Sequence, residues 1–305
     1  MNPKSLLSVD QFDTQSIQEL FALTHSLETT QNTPQLKSGC VSTNLFYEPS
    51  TRTSSSFYSA MVKLGGHVIP INDVSFSSVS KGETLSDTIQ VMNSYCDVIV
   101  LRHPEVGSAA QAATVSKVPI INAGDGMGEH PTQALLDLYT ISKHFCLTKQ
   151  LHVALVGDLK HGRTVHSLLK LLRLYDVQVH LVSPPGFEMP EYLTQPQDVN
   201  HVQLWDCIPH VDVVYMTRVQ KERITDTQLL NQIGDYALTS THMHMAKAHM
   251  IVMHPLPRVD EIDVRVDADP RAKYFEQISN GLWIRQAIFL NMLGQQDVCW
   301  KPFLA

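Results

Sequence analysis

The sequence predicts an α/β protein of two domains, each with a parallel β-sheet flanked by helices. Three observations lead to this prediction. Short runs of Val, Ile and Leu alternate along the chain with amphipathic patterns of helical period. These runs form two sets of four, separated by a long helical pattern that begins at Pro131. The length of 305 residues is enough for two domains of ordinary size.

The predicted strands are mostly unbroken apolar runs, which are typical of strands buried on both faces of a parallel sheet. Loops that contain Gly, Ser, Pro or charged residues separate them from the helices. We predict strands at residues 41–46, 67–71, 97–101, 118–122, 151–156, 177–182, 212–216 and 250–253, and helices at residues 53–64, 84–94, 131–145, 163–174 and 225–233.

The domain boundary is expected near residue 140. Pro131 suits the first turn of the central helix, because its missing N–H would have had no partner there. We expect a first domain at residues 1–140 and a second at residues 141–284. A last helical pattern at Gly281–Leu293 has no strand after it, and the pattern leaves open which domain it joins. We expect the C-terminal helix, residues 285–305, to return to the first domain.

Composition and charge exclude several classes of protein. Hydrophobic residues make up 43% of the chain and charged residues 17%, a balance typical of globular rather than disordered proteins. The net charge of −7 argues against a nucleic acid or an anionic membrane as the main partner. We expect a cytoplasmic protein, because the N-terminus lacks the apolar core of a signal peptide and no run approaches a membrane span. Scattered cysteines without a CxxC pair predict buried free thiols in a reducing compartment: Cys40, Cys96, Cys146, Cys207 and Cys299.

Charged side chains collect directly after several predicted strands. Arg102 follows the third strand, Asp158 and Arg163 follow the fifth, and Arg218 and His254 follow the last two. Ligands of open α/β sheets bind beyond the carboxyl ends of the strands. Several cations delivered to such a rim predict a pocket for an anionic substrate.

The segment Glu48–Ser54 joins a strand to a helix and brings hydroxyl groups and Arg52 to the helix start. Unpaired N–H groups and the helix dipole favour anions there, and the arginine fork suits bidentate contact with phosphate. A Ser/Thr helix cap followed by an exposed arginine is the plainer interpretation. The segment by itself leaves both open, and it matches neither the P-loop nor GxGxxG.

Five motifs in order carry a resemblance to a known family. They are Ser50-Thr51-Arg52-Thr53, Arg102-His103-Pro104, His130-Pro131-Thr132-Gln133, the segment Met216–Arg223, and His254-Pro255-Leu256-Pro257-Arg258. The first three resemble the signature of the aspartate/ornithine carbamoyltransferase family, and the last two resemble its aspartate branch. The resemblance runs from about Phe46 to the C-terminal helix.

This resemblance implies two Rossmann-like domains and a defined reaction. The carbamoyl group of carbamoyl phosphate would pass to the amine of L-aspartate, giving N-carbamoyl-L-aspartate and phosphate, an early step of de novo pyrimidine biosynthesis. The departing phosphate can take the amine proton, so the protein would supply positioning and electrostatics. Catalysis is expected to need no metal or organic cofactor.

The resemblance also implies which residues meet carbamoyl phosphate. The catalytic set would be Arg52, Thr53, Arg102, His130 and Lys81. Thr53, Arg102 and His130 would donate to the carbonyl oxygen and stabilise the developing oxyanion. Phosphate would be held by Ser50, Thr51, Arg52, Thr53, Ser77 and Lys81, with the choice between Ser77 and Ser78 left open. The carbamoyl amide would meet Gln133 and the backbone carbonyls of Leu256 and Pro257, which a cis peptide bond would join.

For L-aspartate, the resemblance implies binding by Lys81, Arg163, Arg218 and Gln220, since arginine suits carboxylates. Glu48, Arg163 and Arg223 resemble the ion-pair set that holds the closed arrangement of domains. The segment containing Lys81 resembles a loop lent by a neighbouring subunit, which implies a homotrimer with shared active sites. The sequence leaves open a regulatory chain or a dihydroorotase-like partner.

Three alternatives compete with this interpretation. A carbamoyltransferase for ornithine is disfavoured by Arg218, because the side chain of ornithine is cationic. A catalytically silent paralogue is disfavoured because Arg52, Arg102, His130 and Lys81 are all present. A dinucleotide-dependent oxidoreductase is disfavoured because the loop Gly157–Gly162 departs from GxGxxG.

A histidine-rich segment could suggest a metal site. It contains His242 and His244, with His249 a few residues on. No cysteine or carboxylate completes the group nearby, so we favour a mixed surface of loop and helix.

Overall fold

A computed structural model describes residues 4–30, 34–72, 78–148, 150–218, 236–294 and 298–303. The chain divides into two compact units. Unit 1 combines Met1–Leu136 with Ser279–Ala305, and unit 2 is Asp137–Ile278. The helix predicted at residues 225–233 and the candidate residues Ser77, Gln220 and Arg223 lie outside the described residues, as does the side chain of Ser78.

Unit 1 is built on a four-stranded sheet. Its strands are β1 (Val41–Phe46), β2 (His67–Ile71), β3 (Val98–His103) and β4 (Ile120–Asp125), and its helices are α1 (Thr14–Thr29), α2 (Thr51–Lys63), α3 (Leu85–Met92) and α4 (Ser108–Val115). All strands are parallel, in the order β2-β1-β3-β4. Helix α5 (Pro131–His144) begins in unit 1, with Pro131 as its first residue, and α8 (Tyr274–Met292) ends in unit 1.

Unit 2 is built on a five-stranded sheet. Its strands are β5 (His152–Val156), β6 (Gln178–Val182), β7 (Val199–His201), β8 (Val213–Met216) and β9 (Ile251–Met253), and it also contains α6 (Arg163–Leu172) and α7 (Ser240–Met245). The strands are again all parallel, in the order β7-β6-β5-β8-β9. Strands β5 and β8 are buried almost throughout, as their unbroken apolar sequences predict.

The predicted fold class is confirmed. Each of the eight predicted strands corresponds to an observed strand, and the predicted helices at 53–64, 84–94, 131–145 and 163–174 correspond to α2, α3, α5 and α6. The last helix begins at Tyr274 rather than at Gly281. Helices α1, α4 and α7 and strand β7 were not predicted.

Two of the missed elements lack the pattern on which their prediction depends. Strand β7 lies at a sheet edge with two exposed residues and a half-buried one, so it has no apolar run to detect. Half of α4 is alanine, which gives it little amphipathic contrast. Helix α1 does carry a buried face of helical spacing at Ile17, Leu20, Thr24 and Leu27.

The cysteine prediction is wrong in part. Cys96 and Cys207 are buried, Cys40 is half-buried, and Cys146 and Cys299 are exposed, although all five are free thiols. Burial raises the pKa of the Cys207 thiol to about 12. Within the described ranges, no helix is long and apolar enough to cross a membrane.

Candidate active site

Each sheet has a point where the order of its strands reverses. In unit 1 the strands extend from β1 to β2 on one side and from β3 to β4 on the other, so this point lies between β1 and β3. In unit 2 it lies between β5 and β8. Ligands of open α/β sheets bind outside the carboxyl ends of the strands at such a point. The phosphate segment and Arg102 follow or end the two strands of the first reversal, and Arg163 and Arg218 follow those of the second.

The start of α2 is not capped by its own serine. Ser50 is the N-cap residue, but its side chain makes no capping hydrogen bond. Thr51 and Arg52 are exposed, whereas Thr53 is buried. The plainer interpretation of the segment as a serine cap therefore does not hold at Ser50. The side chains here and the N–H groups of the first turn are placed to receive an anion.

Arg102 reaches the same rim from the end of β3. It is opposite Phe46 in the register of β1 and β3, and its carbonyl accepts the N–H of Tyr47 at 2.8 Å. Its Nε lies 3.3 Å from Oε2 of Glu48. Glu48, predicted for domain closure, thus contacts a candidate catalytic arginine within unit 1.

His130 is presented by a braced loop between β4 and α5. It is buried, and its carbonyl accepts the N–H groups of Gln133 and Ala134, which begin the helix. Asp125 holds the loop by accepting the N–H of Glu129 at 2.8 Å and the N–H of Gly107 at 2.9 Å. Sequence analysis did not identify Asp125 as a bracing residue, although Asp125-Gly126 is a recognisable turn signal.

The Glu129 carboxylate ties this loop to the N-terminal segment of unit 1. Its Oε1 accepts from Oγ of Ser8 at 2.7 Å, and its Oε2 accepts the N–H of Val9 at 2.9 Å. Both carboxylate oxygens of Glu129 therefore accept hydrogen bonds from the N-terminal segment, which fixes the residue that precedes His130 in the chain. Glu129 was not predicted, because its partners lie more than a hundred residues away in the chain.

Lys81 lies on a short 3₁₀ helix, Ser78–Lys81, and is exposed. The following residues anchor this segment to α3. Thr84 caps α3 by accepting the N–H of Asp87 at 3.1 Å, and Thr88 donates to Oε2 of Glu83 at 2.8 Å. The Lys-Gly-Glu-Thr sequence thus places Lys81 just before a fixed helix start.

Arg163 is the first residue of α6, and its neighbour Gly162 provides no side-chain cap. The loop before it is fixed by Asp158, which is buried and accepts the N–H of His161 at 3.0 Å. The same carboxylate lies 3.0 Å from Nδ1 of His161. The helix dipole disfavours a cation at a helix N-terminus, so the position of Arg163 favours a role other than stabilising α6.

Arg218 follows β8 and is half-buried. The preceding residue, Thr217, donates its hydroxyl to the carbonyl of Val156 at 2.8 Å. Gly157 has φ +116°, and a Cβ there would lie 2.4 Å from the carbonyl oxygen of Thr217. Only glycine permits this approach of the two loops after β5 and β8.

The turn after β9 contains Leu256 and Pro257, joined by the cis peptide bond that the resemblance implied. Leu256 has φ +52°, which is uncommon for a residue other than glycine. Its N–H donates to Nδ1 of His254 at 2.7 Å. Arg258 forms an ion pair with Asp267, which raises the pKa of its guanidinium, so this motif arginine is engaged within unit 2.

The histidine-rich segment is used for packing. His242 is buried, stacks on Trp205 with ring centroids 3.6 Å apart, and lies 2.9 Å from the hydroxyl of Thr239. His249 lies 3.0 Å from Asp212. Among the described residues, no group of three or more His, Cys, Asp or Glu is arranged to hold a metal ion.

A different histidine cluster was not predicted. His152, His180 and His201 form a chain across β5, β6 and β7, with nitrogen atoms 3.0 Å and 2.9 Å apart. Burial and the neighbouring histidines lower the pKa of His180 to about 4. These side chains come from three strands, so the sequence spacing carried no signal for them.

Two family models together match most of the chain. Residues 4–143 match the carbamoyl-P binding domain of aspartate/ornithine carbamoyltransferases, and residues 149–292 match their Asp/Orn binding domain. The chain belongs to the aspartate/ornithine carbamoyltransferase family. It is therefore a member of a family of transferases.

Relatives within this family extend the comparison. The aspartate carbamoyltransferase catalytic subunit of Methanosphaerula palustris is 44% identical over 298 residues, which cover 95% of this chain and 100% of that protein. Multifunctional protein pyr1-3 of Dictyostelium discoideum is 44% identical over 301 residues, and the chain spans 14% of its length. The crystal structure of Trypanosoma cruzi aspartate transcarbamoylase in complex with carbamoyl phosphate and aspartate is 42% identical. The two structures match with a TM-score of 0.89, and the matched region covers 94% of this chain and 96% of that chain.

Proposed function

We infer that this chain is an aspartate carbamoyltransferase, which transfers the carbamoyl group of carbamoyl phosphate to L-aspartate. The observation that carries this inference is the placement of arginines at the strand reversal of both sheets. Arg52 and Arg102 lie at the first reversal, and Arg163 and Arg218 lie at the second. Two separate cationic rims fit two anionic substrates. The structural relative from Trypanosoma cruzi carries both carbamoyl phosphate and aspartate.

The reaction needs donors at a carbonyl oxygen. The aspartate amine attacks the carbonyl carbon, the C–O bond to phosphate breaks, and the phosphate takes the amine proton as it leaves. Negative charge develops on the carbonyl oxygen in between, and donors aimed at it lower the barrier. We assign this role to Thr53, Arg102 and His130.

The remaining groups of unit 1 are assigned to phosphate and the carbamoyl amide. Phosphate is held at the α2 start and by the segment that precedes α3, and Gln133 meets the amide. The phosphate set is Ser50, Thr51, Arg52, Thr53, Ser77 and Lys81. The uncapped helix start supports this assignment, since its N–H groups and hydroxyls suit an oxyanion.

Unit 2 is assigned to the amino acid and to the far side of the carbamoyl group. Arg163 and Arg218, with Lys81 and Gln220, bind the carboxylates of aspartate, because planar guanidinium groups pair with carboxylates bidentately. The carbonyls of Leu256 and Pro257 accept from the carbamoyl amide and the aspartate amine. Glu48, Arg163 and Arg223 are assigned to the closed arrangement of domains.

The assembly and setting form part of the same proposal. We propose a cytoplasmic homotrimer that acts in pyrimidine biosynthesis, with Lys81 and Ser77 lent to the active site of a neighbouring subunit. The exposure of Lys81 and the five free thiols support it. A regulatory chain or a dihydroorotase-like partner would bind such a trimer as an additional component. The multifunctional relative from Dictyostelium discoideum shows that chains like this one occur within larger proteins.

Formation of N-carbamoyl-L-aspartate and phosphate from carbamoyl phosphate tests the proposal, with L-aspartate and L-ornithine as parallel acceptors. We expect turnover with aspartate alone. Arg52→Ala should lower kcat by about 10²–10³-fold, because it removes a cation that stabilises the departing phosphate in the transition state. The matched control is Arg265→Ala, since Arg265 is exposed and contacts Asp263 two residues away.

Each other outcome has a distinct meaning. Turnover with ornithine would contradict the roles of Arg163 and Arg218. Activity with neither acceptor, in a folded protein, would support the catalytically silent alternative. Equal rates in Arg52→Ala and Arg265→Ala would contradict the phosphate site.

A further inference from the structure

The turn at Leu256 and Pro257 offers backbone acceptors. Across the described residues, no protein group donates a hydrogen bond to the carbonyl of Leu256 or of Pro257. The turn also holds Leu256 at φ +52°, a left-handed conformation that L-residues disfavour. The direction of a backbone carbonyl is set by the backbone dihedral angles on either side of it. Its direction therefore depends on contacts that hold the turn from behind.

His254 provides the first of these contacts. The N–H of Leu256 donates to Nδ1 at 2.7 Å, so Nδ1 is an acceptor and carries no hydrogen. The ring hydrogen must then lie on Nε2, which is 2.7 Å from Oε1 of Glu261. These two contacts define a neutral imidazole in one tautomer. The side chain is almost completely buried, with 1% of it exposed.

Glu261 provides the second contact on the far side of the turn. Its Oε2 accepts the N–H of Val259 at 3.0 Å and the N–H of Asp260 at 3.1 Å. Burial raises the pKa of this carboxyl, but hydrogen bonds from His254 and from the Val259 backbone outweigh burial and lower it to about 2. The ionised carboxylate therefore links the imidazole to the chain just after the turn.

A buried network fixes this pair to three regular elements. The N–H of His254 donates to Oε1 of Gln277 on α8 at 3.0 Å. Nε2 of Gln277 donates to Oδ1 of Asp137 on α5 at 2.6 Å, and the hydroxyl of Tyr215 on β8 donates to Oδ2 at 2.6 Å. Asp137 and Tyr215 are fully buried. Gln277 joins this network to His254, whereas Tyr215 joins it through Asp137, two groups away from the turn segment.

We propose that His254 and Glu261 are positioning residues, which hold the turn from both sides so that the carbonyls of Leu256 and Pro257 stay aimed at the reacting groups. The inference rests on the proposed function and deepens it. Neither side chain touches substrate in this proposal. Both act through the backbone between them, at the point where an error of about 1 Å can cost 10²-fold in rate.

Substitutions at His254 separate the two contacts. Asn accepts the N–H two residues on, as in an Asx-turn, so His254→Asn keeps the Leu256 contact and loses the Glu261 contact. His254→Ala loses both. We expect kcat/KM for aspartate to fall about 100-fold in His254→Ala and about 10-fold in His254→Asn, because the second variant loses the Glu261 contact alone. Inhibition by inorganic phosphate, which unit 1 binds in the proposed function, should be unchanged in both.

Tyr215→Phe is the matched control for a purely structural effect. It removes the hydrogen bond from the Tyr215 hydroxyl to Asp137, at the far end of the same network. We expect it to lower the melting temperature and leave kcat/KM within about twofold. Hydrogen exchange of the peptide spanning residues 254–261 gives a second readout, because only His254→Ala should expose the Leu256 amide.

Several outcomes would overturn the inference. One is an active His254→Ala variant with wild-type kinetics. Another is equal loss of kcat/KM in Tyr215→Phe and His254→Ala at matched melting temperatures. Failure of His254→Asn to recover activity, with its Leu256 amide protected, would also contradict it. Absence of N-carbamoyl-L-aspartate formation by the wild-type protein would instead overturn the proposed function together with this inference.

Discussion

The groups proposed for phosphate in unit 1 and the carbonyls proposed for the carbamoyl amide in unit 2 are presented in opposite ways. In unit 1 the groups are side chains and N–H donors at a helix start, where Arg52 is exposed and Ser50 makes no cap. In unit 2 the turn at Leu256 and Pro257 offers backbone carbonyls, with a buried polar network behind them. In the proposed function, the chemistry of each ligand accounts for the difference. A phosphate brings charge that helix N-termini and arginines bind directly, whereas an amide or amine needs acceptors held at fixed directions.

This contrast has an energetic consequence. Exposed arginines contribute little to folding because water already solvates them, so their substitution should affect the reaction alone. Buried hydrogen-bonded groups leave their partners unpaired when removed, so their substitution should affect folding as well. We therefore expect substitution of the exposed arginine in unit 1 to lower the rate, and substitutions in the buried network of unit 2 to lower stability as well.

The largest effect on stability is expected at Asp137, which joins Tyr215 and Gln277 in unit 2. Asp137→Ala leaves a buried hydroxyl and a buried amide without this acceptor, and should lower the free energy of unfolding by about 3–5 kcal/mol. Denaturant unfolding followed by circular dichroism measures it. Asp137→Asn keeps one acceptor and should lose less. A shift of the Ala variant equal to that of the Asn variant would contradict the account.

A loss of rate that exceeds the loss of stability is expected at Arg102 in unit 1, whose side chain is 15% exposed and lies 3.3 Å from Glu48. Arg102→Ala removes one proposed donor to the carbonyl oxygen and should lower kcat by about 10²–10³-fold, or roughly 3–4 kcal/mol of barrier. Initial rates at saturating substrates measure it, with the unfolding midpoint recorded alongside. Arg102→Lys keeps the positive charge but loses the planar fork of the guanidinium group. Its kcat should therefore lie between those of the wild type and Arg102→Ala. An unchanged kcat would remove Arg102 from the catalytic set.

A smaller effect is expected from the histidine chain of unit 2. The pKa of His180 is lowered to about 4 in the folded protein, below its ordinary value of about 6.5. The unfolded chain then binds the proton more readily, so stability falls as the pH drops from about 6.5 to 4, by about 3 kcal/mol at most. Unfolding midpoints across this range should show a shallower slope in His180→Asn. His25→Asn, at an exposed position of α1, is the control and should keep the wild-type slope.

Much of the fold could be predicted from sequence because most of its strands are buried on both faces. Runs such as Val153–Val156 and Val213–Met216 have no exposed face to interrupt them. Strand β7 lacked this property because it lies at an edge. The alanine-rich helix α4 was missed for a different reason, because a helix of small residues shows little hydrophobic contrast between its faces.

The candidate site could be predicted only where its residues are consecutive. Ser50–Thr53 and His254–Arg258 are short motifs, so a resemblance can detect them. Glu129 and Glu261 act through tertiary contacts or backbone N–H groups, which leave no pattern in the sequence, whereas Asp125 belongs to an Asp-Gly turn signal that was not used. The roles of Ser77, Gln220 and Arg223 stay predictions, since these residues lie outside the described part of the chain.

The discontinuity of unit 1 affects how the chain is made. Helix α2, whose first turn is proposed to bind phosphate, packs against the end of α8 through Phe57 and Phe289, with ring centroids 5.7 Å apart. Arg285 adds a hydrogen bond to Ser56 at 2.7 Å. During synthesis, α2 emerges first and then waits while the whole of unit 2 is translated, on the order of 10–30 s. Unit 1, which is proposed to bind phosphate, can therefore complete its packing only after unit 2, which is proposed to bind the amino acid, has been translated.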